Sequence, residues 1–186
     1  WSQVAAVLTP SRTTRSSLEL VLPAGGTLEI DEVRLVAEDH WGAGDPRWSQ
    51  GVLRRDLVEA LRDLAPRFMR FPGGCIVEGL CLENAYDWKA SVGPVIERRP
   101  DYNLWGMHRP DGDYSQSLQI GFYEYFLLCE DLGMEPMPVV SAGLACQFRS
   151  REVTPVDGAD FSKVVQDTLG LIDWATGDPA TNAWAA

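Results

Sequence analysis

The chain has 186 residues, with 16 Lys and Arg against 27 Asp and Glu, for a formal net charge of −11. A surface this acidic repels nucleic acid and anionic lipid, and the densest basic cluster, Arg98-Arg99, lies beside Glu97 and Asp101, so no nucleic acid and no membrane is expected as a partner. With 45% hydrophobic and 23% charged residues the chain can bury a real core, and no apolar run approaches the ~20 residues that cross a bilayer.

The chain opens at Trp1 and has no charged stretch leading into an apolar one, so it reads as an internal segment of a longer protein. Its four cysteines, Cys75, Cys81, Cys129 and Cys146, form no Cys-x-x-Cys, and the two histidines, His40 and His108, lie far apart. No metal site is therefore expected from spacing. Cys129, inside a helical pattern, reads as a buried free thiol.

In chain order, Ser17 to Ala37 alternates apolar and polar residues on either side of Pro23-Ala24-Gly25-Gly26. Period-2 runs split by a turn signal predict antiparallel strands with one wet face. Two or three strands do not make a stable domain alone, so they are expected to be the tail of a β-sandwich or to pack on the residues C-terminal to them. Asp39 to Gly51, rich in Gly, Trp, Pro and Ser, reads as a boundary. From Val52 the period becomes 3.6, with Leu53, Leu57, Ala60, Leu61 and Leu64 on one face. A strand over Phe68–Phe71 comes next, ended by Pro72-Gly73-Gly74. A second helix over about 118–132 is stopped by Gly133, a strand covers 137–140, and a third helix runs from Phe161 to about Ala175, closing near Gly177.

Helix and strand in alternation imply a parallel sheet with helices outside it. About 45 residues separate Phe71 from the next helix and about 17 separate Ser141 from Asp157, whereas helix-to-strand returns are short. Long loops after strand carboxyl ends belong to a (β/α) barrel, in which those loops carry the active site. A full barrel needs ~250 residues, so the expected fold class is α/β, a partial (β/α)8 TIM barrel of about two strands preceded by the tail of a β-sandwich.

Candidate chemistry gathers after the first of these strands. Gly73 and Gly74 open backbone conformations closed to other residues, and Arg70 sets a fixed charge at the strand's mouth. An ordinary structural turn is the alternative. The following loop holds Tyr86, Trp88, Tyr102 and Trp105 among charged residues, a composition suited to stacking on sugar faces and bonding hydroxyls; a self-packed loop core is the other reading of each ring. Glu78, Glu83 and Asp87 lie near the strand mouth, but their spacing selects no catalytic pair, and they read as solvated charge. No nucleotide-binding glycine pattern is present.

Several ordered motifs carry a resemblance. Leu53-Arg54-Arg55-Asp56-Leu57-Val58-Glu59-Ala60-Leu61, Phe68-Met69-Arg70-Phe71-Pro72-Gly73-Gly74-Cys75-Ile76-Val77-Glu78-Gly79, Tyr86-Asp87-Trp88-Lys89, Glu97-Arg98-Arg99-Pro100, Asn103-Leu104-Trp105-Gly106 and Cys129 through Val140 resemble the family-51 glycoside hydrolases, the α-L-arabinofuranosidases. The resemblance implies a retaining hydrolase of terminal non-reducing arabinofuranosyl groups on arabinan and arabinoxylan, built as a (β/α)8 barrel with added β-sandwich. It divides the chain into residues 1–38, the last strands of a carbohydrate-binding-like sandwich insert, 39–51, a linker, and 52–186, part of the catalytic barrel. It implies that Arg70 and Cys75 line the arabinose pocket and that Trp105 lies near the leaving group; Trp88, from the aromatic loop, is the fourth substrate-binding candidate. Tyr123 and Ser141 depart from the His and Asn common in the family.

The family's acid/base glutamate follows Ile-Gly-Asn-Glu, which does not occur in these 186 residues, and its nucleophile glutamate comes later. No catalytic residue is assigned here, and the chain alone is expected to be inactive. The resemblance implies no metal or organic cofactor, an arabinose-containing oligo- or polysaccharide as substrate, and a parent that is a homo-oligomer. The compartment, cytoplasmic or secreted, is left open, as are a non-catalytic carbohydrate-binding module and an inert structural piece.

Overall fold

Phe68–Phe71 (β1) and Glu135–Pro138 (β4) run parallel, in the register Phe68 to Glu135 and Phe71 to Pro138. They belong to a computed structural model that describes residues 1–22, 25–106 and 115–181; Pro23-Ala24 of the expected turn and His108 lie outside the described residues. The chain divides into two units, Trp1–Arg34 and Leu35–Ala186.

In the first unit no helix or strand forms among the described residues, and Leu18, Leu20, Val21, Leu28, Ile30 and Val33 are exposed. The strands expected over Ser17 to Ala37 are thus not formed. Alternation specifies which side chains would share a face, but a strand also needs a partner for its backbone groups and a second layer over its apolar face, and the described residues supply neither.

The second unit follows the expected order of helix, strand, helix, strand, helix. Helix α1, Arg55–Leu64, ends where Ala65 takes a left-handed conformation, φ 48°, ahead of Pro66. The buried residue of α1 is Val58, outside the expected stripe, of which Leu53 and Leu61 are partly buried against the core while Leu57, Ala60 and Leu64 stay exposed. Period alone marks the whole stripe; which part is covered depends on the neighbours the fold places beside it. A short helix α2, Gly74–Glu78, follows β1, and a two-residue antiparallel pair, Asp101–Tyr102 (β2) with Ser115–Gln116 (β3), closes the long loop.

Helix α3, Phe122–Leu132, packs on β1 and β4. It starts later than expected because Leu118 has φ 55°, which a right-handed helix excludes. Gly121 caps it, and its N–H donates to Glu124 Oε2 at 2.8 Å. A Cβ on Gly121 would collide with the Ser91 carbonyl oxygen, so close backbone approach demands glycine there. Gly133, φ 65°, closes the helix. Met134 then leads into β4, whose pairing begins as Glu135 N–H donates to the Arg67 carbonyl at 2.9 Å. Pro136 and Pro138 alternate with Glu135 and Val139, whose N–H groups face β1, so both prolines stand where β4 has no donor to give to β1. Helix α4, Phe161–Thr176, runs as expected to Gly177.

The core joins Phe122, Tyr125, Leu128 and Cys129 of α3 to Trp48, Val58, Trp88, Met134 and Leu171. Phe71 stacks on Tyr125 with centroids 4.9 Å apart, and the Tyr125 hydroxyl donates to the Met69 carbonyl at 2.7 Å. Within residues 39–51, expected as a linker, Trp48 joins the core and Trp41 packs against it. The indole N–H groups of Trp41 and Trp48 both donate to Asp131 Oδ2 at 2.9 Å, and Arg47 reaches Asp131 Oδ1 at 3.2 Å. A buried indole needs an acceptor, and one carboxylate at the end of α3 serves two.

Candidate functional site

The parallel pair directs both strands' carboxyl ends to one side, and there the chain assembles its polar groups. Beyond β1 the backbone turns at Gly73, φ 120°, a region L side chains rarely adopt. Arg70 lays its guanidinium along this turn: a Cβ on Gly74 would stand 3.6 Å from Nη2, and one on Gly73 3.9 Å from Nη1. Arg70 itself is exposed, so its charge is open to solvent.

Cys75 follows on α2. Beyond β4 the chain returns so that the Cys146 N–H donates to the Gly79 carbonyl at 3.1 Å. This puts Cys146, fully buried, against Cys75, half-buried. A hydrogen bond with Cys146, followed by burial and the neighbouring Glu78, pushes the Cys75 thiol above its ordinary pKa. The turn after Cys146 carries Arg149, whose guanidinium lies 5.8 Å from the Trp105 ring. Trp105 is 48% exposed, leaving part of its ring surface to solvent.

Of the four expected substrate-binding residues, Arg70 lies along Gly73-Gly74, Cys75 lies against Cys146, and Trp105 lies beside Arg149. Trp88 is placed elsewhere. It is 3% exposed, its indole N–H donates to the Asp167 carbonyl at 2.8 Å, and its ring lies 5.7 Å from that of Trp174. It is a core residue, because α4 covers the ring face a sugar would need. Cys146 and Arg149 went unrecognised in the sequence, since they join the site only through β4 pairing with β1.

The charged residues set aside as solvated divide. Glu83 and Asp87 are exposed and border a cleft of about 470 Å³ together with Asn84, Tyr86, Arg99 and Tyr102. Burial pushes the Tyr86 hydroxyl up to about 12. Glu78, by contrast, is half-buried against the two thiols.

A parallel strand pair with α3 packed on it is an α/β unit, and Arg70, Cys75 and Cys146 lie at or beyond its strand ends. Residues 60–186 match the family model described as the α-L-arabinofuranosidase 1 domain. The chain is 37% identical to an extracellular exo-α-L-arabinofuranosidase of Streptomyces chartreusis, over 99% of this chain and 22% of that protein. It is 33% identical to α-L-arabinofuranosidase 1 of Arabidopsis thaliana, over 100% of this chain and 25% of the relative. Among solved structures, the arabinose-bound MgGH51 α-L-arabinofuranosidase superposes with a TM-score of 0.61 at 30% identity, over 72% of this chain and 20% of that one. A family-51 α-L-arabinofuranosidase from Bifidobacterium longum, at 20% identity and a TM-score of 0.52, covers 81% of this chain and 23% of its own, and shares the fold. The chain belongs to family 51 of the glycoside hydrolases, the α-L-arabinofuranosidases. It spans about a fifth to a quarter of the length of these relatives, 22% and 25% for the two curated ones.

Proposed function

We propose that these residues are the sugar-positioning part of an exo-acting, retaining α-L-arabinofuranosidase that releases terminal α-L-arabinofuranosyl groups from arabinan and arabinoxylan. The observation that carries the reading is the 37% identity, across 99% of this chain, to a protein named as an exo-α-L-arabinofuranosidase. The strand-end cluster supports it. In this reading residues 52–186 belong to a (β/α)8 barrel and residues 1–38 to the end of a β-sandwich insert, separated by the segment 39–51.

Arg70 orients a sugar hydroxyl or the carboxylate that holds it, Cys75 shapes the pocket wall, and Trp105 stacks on the leaving-group side. The double displacement itself needs two carboxylates about 5–5.5 Å apart, and in this reading both come from outside these 186 residues. The isolated chain therefore positions sugar without turning it over.

The test is hydrolysis of 4-nitrophenyl α-L-arabinofuranoside and a branched arabino-oligosaccharide by the parent-length protein. Arg70→Ala should lower kcat/KM by about 100-fold or more. Trp105→Ala should chiefly raise KM for the oligosaccharide. A parent-length protein that binds arabino-oligosaccharide but releases no arabinose would instead make this a carbohydrate-binding module.

A further inference from the structure

At the exits of β1 and β4 lies a group of three potential ligands, of which the sugar-positioning reading uses only Cys75. Atoms of Cys75, Glu78 and Cys146, namely two sulfurs and a carboxylate oxygen, all lie within 4.8 Å of one another. Two sulfurs and one oxygen form a donor set for a borderline-soft cation, unlike the all-oxygen sets that suit calcium or magnesium. At metal–sulfur and metal–oxygen distances of about 2.3 and 2.0–2.2 Å, tetrahedral zinc separates its ligand atoms by about 3.4–3.8 Å. The observed upper bound of 4.8 Å is about 1 Å above that range.

The backbone beneath the ligands is already tied. Cys75 and Glu78 stand one helical turn apart on α2, where the Gly79 N–H donates to the Cys75 carbonyl at 2.9 Å. Cys146 is held to the Gly79 carbonyl at 3.1 Å, and its own carbonyl accepts from Arg149 and Ser150 at 2.8 and 3.0 Å. Cys146 forms a buried floor, while the half-buried Cys75 and Glu78 leave an approach from solvent. Helix α2 and the segment after β4 thus present three ligands to one point.

We propose that Cys75, Glu78 and Cys146 bind a thiophilic divalent cation of the zinc class, with the fourth coordination position left to water. Binding is an exchange without redox change: the cation gains two thiolates and a carboxylate, and the two thiol protons pass to solvent. The bound ion cross-links the segment after β1 to the segment after β4. This inference does not rest on the glycosidase reading, because it concerns only ligand atoms within this chain.

The experiment titrates Zn²⁺, and separately Cd²⁺, into the full chain after chelator treatment, in a non-thiol reductant that keeps all four cysteines reduced. One equivalent should bind, Cd²⁺ should produce a thiolate-to-metal charge-transfer band, and saturating Zn²⁺ at about 100 times its Kd should raise Tm by about 5–10 °C. Cys75→Ser should abolish the band, Glu78→Gln should weaken binding by about 10-fold or more, and Cys81→Ser should change nothing. Because Cys146 is buried and its replacement endangers folding, Cys75→Ser and Glu78→Gln carry the test, with circular dichroism as the folding check. A folded chain that binds no stoichiometric cation, or one whose charge-transfer band survives Cys75→Ser, overturns the proposal.

Discussion

Arg98 and Glu124 meet as a bidentate pair inside the second unit, Nη1 to Oε2 at 2.8 Å and Nη2 to Oε1 at 2.9 Å, with side chains 1% and 0% exposed. The remaining guanidinium donors go to the carbonyls of Gly93 and Leu118, and Glu124 also accepts the Gly121 N–H. The pair thus holds the aromatic loop, the approach to α3 and the helix cap in one arrangement. Its two charges are desolvated, so its value lies in being complete: removing one partner strands the other. Glu124→Ala should destabilise the chain by about 3–5 kcal/mol in urea unfolding, and Arg98→Met combined with Glu124→Leu should recover part of that loss. Equal midpoints for Glu124→Ala and the parent sequence would refute this role.

Asp131 joins Trp41 and Trp48 to the end of α3. Asp131→Ala leaves two indole donors without an acceptor and should cost about 2–4 kcal/mol, with a red shift of tryptophan emission as the 39–51 segment loosens. Asp131→Asn keeps an acceptor oxygen and should cost less. An unchanged spectrum in both variants would show that the segment is held by packing alone.

Trp88 is buried in the core, whereas Trp105, proposed to stack on the leaving-group side, is half exposed. Trp88→Ala should cost about 3–5 kcal/mol of stability through the cavity it leaves against α4. Trp105→Ala loses about 0.5–1 kcal/mol of cation–π attraction from Arg149, while weakening arabino-oligosaccharide binding by the parent-length protein. The opposite pattern in unfolding and affinity would exchange the two roles.

Asp167 supplies a pH dependence. Burial raises its pKa, but hydrogen bonds from Lys163 and Lys89 outweigh that and hold it below the ordinary carboxylate value. A carboxyl depressed in the folded state contributes stability that is present above the unfolded pKa of about 3.9 and is lost as pH falls through the lower folded value. Asp167→Asn should therefore be less stable than the parent chain at pH 7 by about 1 kcal/mol or less, since the carboxylate is only partly screened from water. The difference should close toward pH 2, as followed by urea unfolding at several pH values. A gap that stays constant with pH would assign the loss to packing.

Local pattern and tertiary arrangement each decided a definable part of this molecule. Phe68–Phe71 and Phe161–Thr176 were readable within a residue or so, because the strand is bounded by Pro72-Gly73, where Gly73 takes φ 120°, and the helix carries a continuous 3.6-residue apolar period. The ordered motifs from Leu53 to Val140 likewise identified the family before any coordinates, since ordered motifs survive where no spatial relation is known. The start of α3 was misread because Leu118 is apolar and fits the period, yet its left-handed backbone is imposed by the loop that Arg98 holds.

What only the tertiary structure decided are the relations between distant residues. Alternation in Ser17 to Ala37 was legible, but forming the ladder requires partner strands, and no ladder forms over the described residues of this segment. Trp88 and Trp105 stand in similar sequence surroundings, yet α4 covers one ring and leaves the other half-open. Cys75 and Cys146 become neighbours only when β4 pairs in parallel with β1 and the Cys146 amide reaches the Gly79 carbonyl. A sequence determines local backbone preference and the period of its apolar residues; burial, partner choice and the meeting of ligands are non-local free-energy terms, settled only when the chain packs.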